Sequence, residues 1–130
     1  MTFSPADVEA FARLSGDDNP IHLDDVAARA AGFDGPIVHG ALVLGLVSRL
    51  LGTRVPGPGT IYLGQEVRFS RPVYPGVPVA AHVEVTAVRD DKPVVTLRTW
   101  VEADTGSGPI VLMDGQATVL WRPRSAAGAR

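Results

Sequence analysis

Hydrophobic positions along the chain change their period once, near residue 60. Ahead of that point apolar residues recur at helical spacing, and beyond it they alternate. In the first part, Ser4, Pro5 and Asp7 form a helix start, with a capping serine, proline at the first helical position and an acid three residues after the cap. Val8, Phe11 and Leu14 follow at helical spacing, and Gly16 can close the helix, which predicts a helix over residues 5–14. After the turn "DDNP", Asp24 and Asp25 suit a second helix amino end, and "VAARAA" carries that helix to Gly32. Pro36 then precedes the longest apolar run, residues 37–51. It contains His39, Ser48 and Arg49, and is too short and too polar to span a membrane. It predicts instead a helix over about residues 39–51, apolar on nearly all sides, buried, and stopped at Gly52.

Past the proline- and glycine-rich "TRVPGPG", four segments read as strands: "TIYLGQEVRFSRPV", the stretch around "VEVTAV", "VVTLRTWVEA" and "IVLMDGQATVLW". Val79, Ala81, Val83, Val85 and Ala87 alternate with Ala80, His82, Glu84, Thr86 and Val88, as in a strand with one buried face. "RDDKP" and "DTGSGP" are turns, and such short connections imply antiparallel pairing. The predicted fold class is α+β, a long central helix wrapped by a curved antiparallel sheet. Open sheet edges need covering, so a homodimer is expected. The closing residues 122–130, "RPRSAAGAR", are expected to fray.

Composition narrows the partners more than the fold. A chain of 130 residues can bury about two thirds of its unfolded surface around one core, so a single domain over residues 1–130 is expected. A net charge of -2 gives no electrostatic reason to expect nucleic acid or an anionic membrane. The chain has no cysteine, which excludes disulfides, thiolate catalysis and Cys-ligated metal. The amino-terminal residues lack the basic and apolar regions of a secretory signal, and a cytoplasmic location is expected.

Candidate chemistry concentrates in residues 15–25, "SGDDNPIHLDD", where one of only three histidines stands among four aspartates. These are ordinary turn residues, and His22 would pass as a surface residue before a helix. Yet Pro20 stiffens the turn, so that Asp17 or Asp18 and His22 can converge on one water for proton transfer near neutral pH. A metal site is disfavoured, because His39 and His82 are the only other histidines and no ligand spacing such as His-x-x-x-His occurs. At the start of the apolar helix, Gly40 would admit a substrate carbonyl close to unpaired backbone N–H groups. His39 reads as a satisfied helix-start histidine, and His82 as solvent-facing.

Taken together, "SGDDNPIHLDDVAARAAGFDGPIVHGALVLGL" resembles the hydratase-2 motif of the MaoC-like dehydratase family, which has the hot-dog fold. The matching residues are Asp17, Asn19, Pro20 and His22, then Pro36, Ile37, Val38, His39 and Gly40; the later segments "GTIYLGQEVRFSRPVYPG", "VEVTAVRDDKP" and "GQATVLW" extend the likeness over residues 3–121. The resemblance implies reversible syn hydration of a trans-2-enoyl thioester to the (R)-3-hydroxyacyl thioester, without cofactor or metal. It selects Asp17 over Asp18, pairs it with His22 as the acid/base couple, and assigns the Gly40 N–H to the oxyanion hole. It also puts Asn19, Thr60 and Leu63 at the substrate: Asn19 ordering the loop, Thr60 lining the pocket, Leu63 limiting the acyl group to a short chain if it points inward. The substrate is expected to be acyl-CoA or an acyl carrier protein thioester. Alternatives are an (R)-3-hydroxyacyl dehydratase acting on carrier protein, with Arg49, Arg54, Arg68 and Arg71 as a basic rim, and a non-catalytic acyl-binding subunit of the same fold. The second would be expected to have lost Asp17 or His22.

Overall fold

The computed structural model describes residues 1–122; of the tail expected to fray, residues 123–130 lie outside the described residues. Four helices, α1 (Pro5–Ser15), α2 (Pro20–Leu23), α3 (Asp25–Ala30) and α4 (Gly40–Thr53), precede four strands, β1 (Ile61–Phe69), β2 (Ala80–Val88), β3 (Val94–Asp104) and β4 (Pro109–Leu120). The strands form one antiparallel sheet in the order β1-β4-β3-β2.

The start of α1 follows from its cap. Ser4 Oγ accepts from the Asp7 N–H, and the Asp7 carboxylate accepts from the Ser4 N–H, so two otherwise orphaned donors are satisfied reciprocally. Gly16 closes α1 at a φ of 80°, its N–H donating to the Ala12 carbonyl. Between α1 and α3 the "DDNP" segment is more than a turn. Asn19 caps a short helix, α2, its Oδ1 accepting from the Ile21 N–H, and His22 therefore sits on a helical turn.

α4 is buried along one stripe, Val43, Val47 and Leu51, at helical spacing; each such side chain, once buried, is worth about 2 kcal/mol. This corrects the expectation of a helix enclosed on nearly all sides. Leu42, Leu44 and Leu46 pack only partly against the core, and Ala41, Gly45, Ser48 and Arg49 are exposed. The sheet covers one side of α4, and the other is open in the single chain. Gly52 does not stop the helix either, because the Arg54 N–H still finds the Leu50 carbonyl.

In β3 the alternation is regular: Val95, Leu97, Thr99, Val101 and Ala103 are buried beneath α4, while Arg98, Trp100 and Glu102 lie on the outer face. In β1 it is broken. A bulge between Tyr62 and Gly64 flips the phase, turning Tyr62, then Gln65 and Val67, inward and leaving Ile61 and Leu63 exposed. The strand is held close to β4 at Gly115, where a Cβ would stand 1.9 Å from the Glu66 carbonyl oxygen, so only glycine fits.

Candidate active site

The acidic loop is folded by its own side chains. Ser15 Oγ accepts from the Asp17 N–H, Asp17 Oδ1 accepts from the Asn19 N–H, and Asp24 caps α3 through the Val26 N–H. These bonds leave Asp17 exposed with one carboxylate oxygen uncommitted. His22, half-buried on α2, has its Nδ1 2.7 Å from the Ile37 carbonyl. A carbonyl only accepts, so Nδ1 carries the proton and the neutral ring keeps its lone pair on Nε2. That is the tautomer a general base needs.

His39 is not the satisfied histidine expected from sequence. It is 1% exposed, its Nε2 lies 2.9 Å from the Asp17 backbone carbonyl, and its Nδ1 is buried with no hydrogen-bond partner among the described residues. Its ring stacks on His22 with centroids 3.8 Å apart, and the Phe11 ring stands tilted against it at 4.8 Å. As a result a carboxylate oxygen of Asp17 and one ring nitrogen each of His22 and His39 lie within 4.8 Å of one another. Two hydrogen bonds of about 2.8 Å to a shared water span about 4.5 Å, so the separation between Asp17 and His22 suits one bridging water.

The same three residues supply metal-ligand atom types, a grouping their sequence spacing did not reveal. The geometry of the rings opposes that use. A metal about 2.1 Å from a histidine nitrogen lies in the ring plane, and two planes tilted by 26° and stacked at 3.8 Å share no such point. His22 Nδ1 and His39 Nε2 are also spent on backbone carbonyls.

Gly40 opens α4 beside this cluster. His39 makes no side-chain capping bond there, and no acceptor for the Gly40 N–H occurs among the described residues, so the helix end presents a free donor. Sequence reasoning missed Phe69: a Cβ on Gly40 would stand 2.8 Å from its ring, which is half exposed at the end of β1. A cavity of about 310 Å³ lies beside His22, walled by Val8, Leu23, Pro36, Tyr74 and Pro75.

Thr60 and Leu63 are not brought to the pair within this chain. Thr60 donates to the Gly57 carbonyl, and the Gly57 N–H in turn binds Leu51 in the last turns of α4, at the opposite end of that helix from Gly40. Leu63 is 54% exposed and six residues from Phe69 along β1, about 20 Å. The bulge that turns Leu63 outward is invisible in the alternation. Asn19 belongs to the loop as its helix cap.

Known proteins resemble this chain in sequence and in fold. The family model described as MaoC like domain matches residues 1–106. An (R)-specific enoyl-CoA hydratase of Aeromonas caviae is 49% identical over 117 residues, covering 90% of this chain and 85% of that protein. One from Rhodospirillum rubrum is 43% identical over 119 residues, covering 92% and 80%. The solved structure of the (R)-hydratase from A. caviae involved in PHA biosynthesis superposes with a TM-score of 0.85 at 47% identity, covering 94% of this chain and 90% of that one. The α+β hot-dog architecture is thus established, and the chain belongs to the MaoC-like domain family.

Proposed function

We propose that the protein catalyses reversible syn addition of water to a trans-2-enoyl-CoA, giving the (R)-3-hydroxyacyl-CoA. The observation that carries this reading is the Asp17 carboxylate and the His22 ring held within 4.8 Å of each other beside the uncapped amino end of α4. In the forward direction a water between them gives its oxygen to C3 and one proton to the pair, and the pair returns a proton at C2. Negative charge developing on the thioester oxygen is met by the Gly40 N–H. The Nε2 lone pair of His22, left free by the bond from Nδ1 to Ile37, is one acceptor for the water, and Asp17 is the other. Both groups meet the same water and act as a unit. In this reading a short acyl group lies in the largely apolar cavity that adjoins His22.

The reading includes a single-domain homodimer acting in the cytoplasm. The dimer is supported by the open side of α4 and by exposed Ile61 and Leu63, apolar surface that a second copy would cover. Among the described residues no helix is long and apolar enough to cross a membrane. Sedimentation at several concentrations tests the dimer, and a monomer throughout contradicts it.

For the activity, purified protein with crotonyl-CoA should bleach the conjugated enoyl thioester absorbance, and chiral analysis should return the (R) alcohol. Failure on CoA thioesters of all chain lengths and on carrier-protein thioesters would overturn the reading.

A further inference from the structure

His39 occupies a position where its chemistry costs stability. As the residue preceding α4 it stands at the N-cap, where Ser, Thr, Asp or Asn would satisfy a free N–H, and it makes no such bond. Its ring is buried with Nδ1 unpaired, which forfeits the hydration of that nitrogen. The backbone leading to it is pinned, because the Ile37 N–H donates to Ile21 and the Val38 N–H donates to Val73, so the ring has little freedom to leave. Its polar contact and its closest ring contact both lead to the candidate pair. Nε2 holds the Asp17 carbonyl at 2.9 Å across 22 residues of chain, and one ring face covers His22 at 3.8 Å.

Resting on the hydratase reading, we propose that His39 is the positioning residue of the Asp17–His22 pair. Its Nε2–H fixes the backbone that carries the carboxylate, and its ring fixes the plane of the imidazole. His39 itself does not touch substrate. Losing the donor lets the Asp17 backbone drift from His22, and a displacement of about 1 Å at such a centre is worth about a hundredfold in rate; losing the ring alone costs less, because Nδ1 still ties His22 to the Ile37 carbonyl.

Two substitutions separate the constraints. H39F keeps a ring against His22 and removes the donor; H39Q keeps an N–H donor and removes the ring. H39F is expected to lower kcat about a hundredfold with KM within about threefold of wild type, and H39Q to recover to within about tenfold of wild type. A kcat for H39F within about threefold of wild type, or a loss carried by KM alone, overturns the proposal. Nitrogen-15 NMR of the wild-type histidines gives a readout independent of turnover and of whether H39F folds. The expected result is protonation of His39 at Nε2 and of His22 at Nδ1, whereas a His39 proton on Nδ1 overturns the proposal. Wild-type protein without hydratase turnover contradicts the activity reading alone, since the tautomers still report whether His39 holds Asp17.

Discussion

Among the described residues histidine meets carboxylate in two places, and the closer contact is not the candidate site. On the outer face of the sheet His82 Nε2 stands 2.9 Å from Glu102 Oε1, with His82 stacked on Trp100 and Arg98 over the same indole. That approach is out of line for a hydrogen bond, and Nε2 has no hydrogen-bond partner among the described residues; it is a charge contact, ionic only when the ring is protonated. Asp17 and His22 are held further apart, within 4.8 Å, each tied down by backbone groups that leave one reactive lone pair free. Side chains pressed directly together leave no room between them for a third molecule. Side chains one water apart, next to a free helix N–H, can act on a third molecule.

The largest effect that sharpens this contrast is on turnover. D17N or H22A should lower kcat for enoyl-CoA hydration at least about a hundredfold, while D18N stays near wild type in the same assay. Asp18 is exposed and its side chain makes no hydrogen bond among the described residues. If D18N abolished activity and D17N did not, the wrong carboxylate has been paired with His22.

Much of this contrast was readable before the fold, for reasons specific to each residue. The capping box of α1 and the regular alternation of β3 are local signals, and both elements form where they predict. Asp17 and His22 lie five positions apart on a stiff turn, and the motif that spans them singled out Asp17. His39 was misjudged because its partner is a backbone carbonyl 22 residues away, which no spacing rule detects. The direction of Leu63 could not be read because the β1 bulge shifts the phase of the strand, and the packing of α4 could not because its composition records apolar surface without saying which side the sheet takes.

A smaller effect is expected at the helix end. G40A retains the N–H but puts a methyl 2.8 Å from the Phe69 ring. The half-exposed ring can swing aside, so thermal unfolding should change little, while the approach to the α4 amino end is crowded and kcat/KM should fall about tenfold. The double variant G40A/F69A should recover most of that loss. No recovery would mean that Phe69 is not what crowds the helix end. T60V probes the far end of α4: loss of the hydrogen bond to Gly57 should cost about 1 kcal/mol in denaturant unfolding and leave kcat within about twofold.

The smallest effect belongs to the outer pair, and its smallness is what the contrast requires. E102Q removes the charge facing His82 while keeping size and polarity, at side chains that are 39% and 25% exposed. Water and salt screen such a contact, and its geometry already falls short of a hydrogen bond, so unfolding free energy should shift by less than about 1 kcal/mol. Turnover should not move, because Glu102 projects from the face of β3 opposite the buried side that packs under α4. A fall in kcat comparable to that of D17N, in protein that still unfolds cooperatively, would mean that the tighter pair takes part in the chemistry and that distance alone misled the choice between them.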